Sequence, residues 1–154
     1  MSQGISDFGP EKIVTVLAID QTRDELAPLH GLFSQSNWKL HEAYSCKAAL
    51  ACLRRTRIPV VLSERDLPDG NWKDLHYQLL ELPEIPLLIV ASRFADESLW
   101  AEVLNLGAYD VLAKPFDRTE LVRVVASAWL HWRQRPERKR PLVPVLLQSR
   151  TASM

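Results

Sequence analysis

Apolar and polar positions follow two rhythms along this chain, one typical of strands and one typical of helices. Five segments have strand patterning, at 13–19, 38–43, 59–63, 87–91 and 109–113. Most are continuous apolar runs, as in strands buried on both faces, whereas the second alternates like an edge strand. Five segments between and after them have apolar residues at helical spacing, at 24–33, 45–55, 71–81, 96–106 and 117–133. The pattern predicts five repeats of strand then helix.

This order of elements predicts an α/β fold. Short parallel strands separated by helices require right-handed crossovers and a sheet covered on both faces. We therefore predict a doubly wound five-stranded parallel sheet, flavodoxin-like, with strand order 2-1-3-4-5 and helices on both faces. In that order the switch point lies between the first and third strands, and a ligand is expected outside their carboxyl ends. Asp20 and Glu64 end these two strands, so topology alone predicts that the two acids meet.

Turn residues divide the strands from the helices. Asp69-Gly70 predicts a turn after the third strand, and either Asp69 or Asn71 is expected to cap the helix that follows. Gly107 is a fitting residue to end the fourth helix.

Composition and charge suit one soluble domain. The chain has 154 residues, of which 47% are hydrophobic and 25% charged, and its formal net charge is +0. No apolar run reaches ~18 residues and no signal-peptide pattern occurs, so we expect a cytoplasmic protein without a membrane span. We predict an N-terminal extension, one domain and a Pro-containing basic tail, over residues 1–11, 12–135 and 136–154. The tail is expected to be disordered, or to pack on its own domain or on a neighbour.

Several motifs occur on this framework in a fixed order. They are Asp20 after the first strand, Glu64 and then Asp66-Leu67-Pro68 after the third, and Gly107-Ala108 and Lys114-Pro115-Phe116 around the fifth. In order and spacing, residues 13–132 resemble a response-regulator receiver domain of the chemotaxis-regulator type. The resemblance implies a bacterial protein of two-component or phosphorelay signal transduction.

The acceptor position departs from the family pattern. In receivers the acid after the third strand is an aspartate that accepts a phosphoryl group, and here it is Glu64. The extra methylene moves the carboxylate by ~1.5 Å. Phosphoryl transfer depends on in-line positioning, and a displacement of ~1 Å can cost on the order of a hundredfold in rate. We expect Glu64 to be a poor acceptor. It would either imitate a phosphorylated residue or simply pair with Lys114.

The metal position is also altered. In the family, two adjacent acids at the end of the first strand hold Mg²⁺, and here the pair is Asp20-Gln21. Mg²⁺ prefers carboxylates to neutral oxygens. The resemblance thus implies a weak or absent Mg²⁺ site at Asp20, Glu64 and Asp66, and we expect no other cofactor. Alternatively, Asp20 only caps the following helix.

The remaining family positions are mixed. Lys114 matches the lysine that contacts the phosphoryl group, and the bond to Pro115 is typically cis in the family. The hydroxyl residue that ends the fourth strand is replaced by Ala91, and Ser92 would face the cleft only after a register shift of one. Val111 holds the aromatic switch position. The acceptor, hydroxyl and aromatic positions are thus all changed. We expect that the domain no longer takes part in phosphoryl transfer but keeps the residues that shape the pocket.

Tryptophans on the last two helices predict an interaction surface. Trp100, Trp129 and Trp132, with Val111, lie on the face through which receivers commonly dimerise or dock partners. Core packing of these residues is the alternative. We expect a protein partner, either a histidine kinase, an output protein or a second copy. The basic stretch 133–140 is short, so nucleic acid binding is considered unlikely.

The sequence therefore predicts a stand-alone atypical receiver, or pseudo-receiver, that acts through protein–protein interaction and is not an enzyme. A flavin-type enzyme would need a glycine-rich or hydroxyl-rich loop at 21–24, where only one hydroxyl occurs. Two alternatives stay open: a phosphorylation-competent response regulator with a modified acceptor, with Glu64 or Asp66 phosphorylated, and a DNA-associated regulator that uses the basic tail.

Overall fold

The computed structural model describes residues 12–135, in which strands and helices alternate as predicted. The strands are β1 (Thr15–Ile19), β2 (Lys39–Ala43), β3 (Val60–Glu64), β4 (Asp66–Leu67), β5 (Gly70–Asn71), β6 (Leu87–Ser92) and β7 (Asp110–Ala113). The helices are α1 (Arg23–Ser34), α2 (Cys46–Arg55), α3 (Trp72–Leu79), α4 (Glu97–Asn105) and α5 (Arg118–Arg133). The predicted extension at 1–11 and tail at 136–154 lie outside the described residues.

Five strands form one parallel sheet in the order β2-β1-β3-β6-β7. This confirms the predicted flavodoxin-like order, since β4 and β5 form a separate small hairpin. All of β1 is buried, as its β-branched and apolar composition predicted. One core cluster lies between the sheet and α2, α3 and α4, and a second lies between the sheet and α1 and α5. The two layers of helices therefore cover both faces of the sheet.

Side-chain caps begin the helices at the carboxyl edge of the sheet, where the chain leaves each strand. In each case the side chain accepts a hydrogen bond from a backbone N–H of the first turn, with Thr22, Ser45, Asn71, Asp96 and Asp117 as the caps. Because Thr22 caps α1, the alternative in which Asp20 caps that helix is wrong. After α4, Gly107 has a φ of 93°, which favours glycine.

The segment after β3 is more ordered than a simple turn. Asp66–Leu67 pairs antiparallel with Gly70–Asn71, so a small hairpin links β3 to α3. Asp69 stands at its tip and accepts hydrogen bonds from the backbone N–H groups of Cys46 (2.8 Å) and Lys47 (3.0 Å). These bonds lower the pKa of the Asp69 carboxyl. Asn71, not Asp69, caps α3, and Asp69 instead ties the hairpin to the start of α2.

The predicted interface residues are mostly inside the domain. Val111, Trp129 and Trp132 are 2%, 9% and 8% exposed, whereas Trp100 is 42% exposed. Trp129 packs in the core cluster on the side of α1 and α5, whereas the guanidinium groups of Arg57 and Arg135 lie over the Trp132 ring. Val111 and Trp129 therefore belong to the core, as the packing alternative expected, whereas an interface that involves Trp100 or Trp132 stays a prediction. Within residues 12–135, no helix is long and apolar enough to cross a membrane.

Candidate functional site

Three charged side chains from distant parts of the chain meet at the carboxyl edge of the sheet. Lys114 follows β7, and its Nζ donates to Asp20 Oδ2 and, at 2.5 Å, to Glu64 Oε1. The side chains of Lys114, Asp20 and Glu64 are 6%, 4% and 14% exposed. The switch point between β1 and β3 thus holds the two acids that topology predicted, with the buried lysine that the family resemblance implied between them.

The two carboxylates determine the charge state of the lysine. Burial lowers the pKa of Lys114, but its hydrogen bonds to Asp20 and Glu64 and their negative charges act in the opposite direction. The net result is a pKa above the ordinary value of 10.5. Lys114 is consequently a fixed cation at neutral pH, and it compensates part of the charge of the acids that surround it.

The remaining carboxylate oxygens of this triad also accept hydrogen bonds. Asp20 Oδ1 accepts from the backbone N–H of Gln21 at 2.7 Å, and Glu64 Oε2 accepts from the backbone N–H of Arg65 at 2.9 Å. Both oxygens of each acid are therefore occupied by N–H donors. Charge-assisted bonds of this kind are among the stronger hydrogen bonds of proteins, so the triad is held firmly in one arrangement.

Gln21 and Asp66 close the side of the cleft where the family resemblance implied Mg²⁺. The Gln21 side-chain amide donates to the backbone carbonyl of Asp66 at 3.0 Å, and the Asp66 carboxylate turns outward to Arg65 Nε at 3.0 Å. Within residues 12–135, no three His, Cys, Asp or Glu side chains are arranged to hold a metal ion. Mg²⁺ needs several oxygens free to coordinate it. On this side of the cleft one oxygen accepts from Gln21 and one carboxylate faces outward.

The end of β6 differs from the arrangement expected. Ala91 pairs with Glu64 across the sheet, but its side chain packs in the core on the side of α1 and α5. Ser92 lines the cleft without any register shift, and its Oγ accepts from the backbone N–H of Phe94 at 3.0 Å. The expectation that Ser92 would need a shifted register was wrong, because β6 ends there and the chain turns into a loop. The Lys114–Pro115 bond is cis, as the resemblance implied.

Further residues line the cleft, a cavity of about 270 Å³, that were not singled out from the sequence. Glu25 Oε1 lies 3.8 Å from Lys114 Nζ and 3.3 Å from Arg93 Nη2. Thr22 and Phe94 complete the rim. The sequence did contain a signal for Glu25. This residue lies in the first turn of the helix that follows β1, and that helix begins at the edge of the sheet where the cleft lies. No comparable indication existed for Arg93, because this residue lies in the loop that follows β6.

The fold and the site together define a flavodoxin-like domain with a charged cleft at its topological switch point. Residues 16–126 match the family model of the response regulator receiver domain. The chain belongs to this family, whose members are signalling domains of two-component systems.

Individual relatives agree with this assignment. The chain is 32% identical over 110 residues to the probable transcriptional regulatory protein TcrX of Mycobacterium tuberculosis, covering 71% of this chain and 47% of TcrX. It is 29% identical over 130 residues to the C4-dicarboxylate transport transcriptional regulatory protein DctD of Rhizobium meliloti, covering 84% of this chain and 26% of DctD. The chain spans less than half the length of these curated relatives.

Solved structures give the same fold. The signal receiver domain of an HD domain-containing protein from Pseudomonas fluorescens Pf-5 superimposes with a TM-score of 0.72 at 26% identity. The match covers 80% of this chain and 99% of that domain.

Proposed function

We propose that this receiver domain is a pseudo-receiver, which signals through protein contact and does not accept a phosphoryl group at residue 64. The observation that carries the proposal is the buried triad, in which Lys114 lies between Asp20 and Glu64. A phosphoryl group entering this cleft would have to displace a lysine from two carboxylates that already satisfy it.

The hydrogen bonds of the Glu64 carboxylate support the proposal that this residue is not phosphorylated. Both of its oxygens accept N–H donors, from Lys114 and from the backbone of Arg65. Each oxygen thus has one of its two lone pairs engaged, which restricts how it can approach in line with a phosphorus atom, and in that reaction the protein contributes mainly positioning and electrostatic stabilisation. The longer side chain reaches Lys114 directly, so the cation that would stabilise an incoming phosphoryl group is already neutralised.

We further propose that the domain works without Mg²⁺. The amide of Gln21 donates to the carbonyl of Asp66, and Lys114 supplies the positive charge between the acids. An internal ammonium then performs the charge compensation that a divalent cation would otherwise provide. This account predicts that millimolar Mg²⁺ leaves the thermal unfolding midpoint unchanged, since an ion that binds only the folded state would raise it.

Intact mass spectrometry after incubation with acetyl phosphate and Mg²⁺ tests the proposal. The wild-type protein is expected to gain no phosphoryl group. Glu64→Asp should be modified slowly, because Gln21 still withholds a metal ligand, and Gln21→Asp with Glu64→Asp should be modified faster. Gln21→Asp alone is the matched control and should resemble wild type. Phosphorylation of the wild-type chain would contradict the proposal.

The same experiment distinguishes phosphorylation of Asp66 from phosphorylation of Glu64. The Asp66 side chain is 56% exposed and bonds only to Arg65 among the contacts described above. If the wild-type chain is modified and Asp66→Asn is not, the domain is a phosphorylation-competent regulator with Asp66 as its acceptor. Unchanged assembly by light scattering, with and without acetyl phosphate, is expected for the pseudo-receiver.

A role in transcription is a second candidate, favoured by the names of the relatives. TcrX and DctD are both described as transcriptional regulatory proteins. The predicted basic stretch at 133–140 lies largely outside the described residues, so this candidate rests on sequence similarity and charge. DNA affinity that falls steeply with added salt would support it, because phosphate contacts release counterions.

A further inference from the structure

A second cavity opens at the amino edge of the sheet, at the opposite end from the cleft. It measures about 330 Å³ and lies between the end of α2, the segment 56–58, the loop before β6 and the last turns of α5. Its apolar lining residues are Leu53, Ile58, Leu82, Pro83, Pro86 and Trp132. We call it the amino-edge groove. It shares no residue with the charged cleft, and its role is independent of the function proposed above.

The rim of this groove is basic. Three arginines line it, Arg54, Arg55 and Arg57, against a single acid, Glu84. Arg57 bonds to both oxygens of Glu84, at 2.7 and 3.0 Å, and its guanidinium lies 4.8 Å from the ring centre of Trp132. This bridge fixes the walls of the groove relative to its apolar floor. Arg54 and Arg55 are exposed, and Arg55 bonds only locally, to a carbonyl one turn back in α2.

Part of this charge has an ordinary structural explanation. Arg54 and Arg55 occupy the last turn of α2, where cations are favoured by the helix dipole. That effect accounts for basic residues at the end of the helix, but not for an apolar cavity beside them. Arg57 is outside the helix and is aligned by Trp132 and Glu84. An apolar floor with a cationic rim is the combination found at protein-binding sites with aromatic and arginine anchors.

We propose that the amino-edge groove docks an acidic segment of a partner protein, with one or two apolar side chains on the floor and carboxylates on Arg54 and Arg55. Charge complementarity selects this occupant over the chain's own tail. Residues 136–154 carry Arg138, Lys139, Arg140 and Arg150 against one acid, Glu137, and so have the same sign as the rim. The apolar floor favours a peptide over a nucleic acid, whose backbone offers no aliphatic side chains.

NMR titration of the full chain tests this proposal with a defined probe. The probe is a blocked peptide with two leucines flanked by glutamates, and its control replaces the glutamates by lysines. The acidic peptide should shift the Trp132 indole N–H and the backbone amides of 53–58 and 82–85, saturably and less at high salt. Arg54→Glu with Arg55→Glu should weaken binding at least tenfold. The double glutamine variant, which is milder for the helix, should weaken it in the same direction.

Lys47→Glu is the matched control, since Lys47 is exposed and stands at the other end of the same helix. It should bind the acidic peptide like wild type. The proposal is overturned if millimolar acidic peptide produces no saturable shift at the groove, or if Lys47→Glu weakens binding equally. It is also overturned if the lysine peptide or a DNA oligonucleotide binds the groove more tightly than the acidic peptide. The same holds if the NMR shifts of the groove residues change with protein concentration, or with substitutions in 141–147, and not with added peptide.

Discussion

Replacing Lys114 by methionine is the most direct perturbation of the cleft. Methionine keeps much of the length of the side chain but leaves Asp20 and Glu64, 4% and 14% exposed, facing each other without their cation. Removing one partner of a buried ion pair typically costs 3–5 kcal/mol, about a third of the stability of an ordinary domain. With a urea dependence of about 2 kcal/mol per molar, the unfolding midpoint should fall by about 2 M.

Urea unfolding followed by circular dichroism at pH 7 measures this loss. The matched control is Lys73→Met, which breaks an exposed pair with Glu102 (2.7 Å; side chains 39% and 44% exposed) and should change the midpoint far less. Adding Glu64→Gln to Lys114→Met should restore part of the lost stability, because one unpaired charge is removed. A Lys114→Met midpoint no lower than that of Lys73→Met would refute the buried triad.

The pH dependence of this difference has a fixed sign. The folded-state pKa of Lys114 is raised above its ordinary value of 10.5. The stabilisation from its charge is therefore fully present below pH 10.5 and is lost as the pH rises through the folded-state value. The stability gap between wild type and Lys114→Met should be constant between pH 7 and 9 and should narrow above 10.5. Titratable groups away from this triad are common to both proteins and cancel in the comparison.

Two further predictions concern α2 and the hairpin. Burial, and then the nearby Asp69, raise the pKa of the Cys46 thiol to about 11. At pH 8 Cys46 should therefore react with Ellman's reagent more slowly than the partly exposed Cys52, until urea unfolds the domain. Equal rates in the folded protein would contradict this prediction. The Cys46 shift should also lower stability between pH 9 and about 11, because the folded state retains the proton longer. Asp69→Ala should cost about 1 kcal/mol through loss of the two bonds from the backbone N–H groups of Cys46 and Lys47, as measured by urea unfolding, with Asp69→Asn nearer to wild type. The stability difference between wild type and Asp69→Asn should shrink as the pH falls through the lowered folded-state pKa of Asp69; identical midpoints for Asp69→Ala and wild type at pH 7 would contradict a stabilising role for these hydrogen bonds.

The sequence predicted the sheet and the meeting of the charged residues, because both follow from long-range order in the pattern. Once strands and helices alternate, the handedness of the crossovers leaves few topologies, and the ends of β1 and β3 must be neighbours. Asp20 and Glu64 could therefore be placed together without knowledge of any contact, and the family resemblance added Lys114 as their partner. The backbone N–H groups of Gln21 and Arg65 that bond the remaining carboxylate oxygens could not be predicted, because such bonds depend on distances of a few tenths of an ångström.

The errors have local causes. The hairpin at 66–71 was missed because its strands contain two residues each, too short for a period to appear. Ser92 was assigned to the wrong face because strand alternation stops where β6 ends. Core packing and an interface stayed open for Trp129 and Trp132, because their spacing on α5 suits both, and only the neighbouring side chains distinguish them. In each case tertiary packing decided between alternatives that have the same sequence pattern.

The hairpin connects these local details to the cleft. Arg65 follows Glu64, and its backbone N–H donates both to the Glu64 carboxylate and to the carbonyl of Ala91. Its own carbonyl accepts from Trp72 N at 2.8 Å, at the start of α3. Asp69, at the hairpin tip, holds the start of α2. The segment after β3 is thus bonded to β6, α2 and α3 at once. Because Glu64 bonds both to Lys114 and to the backbone N–H of Arg65, breaking the Glu64–Lys114 pair should loosen this segment as well as lower stability.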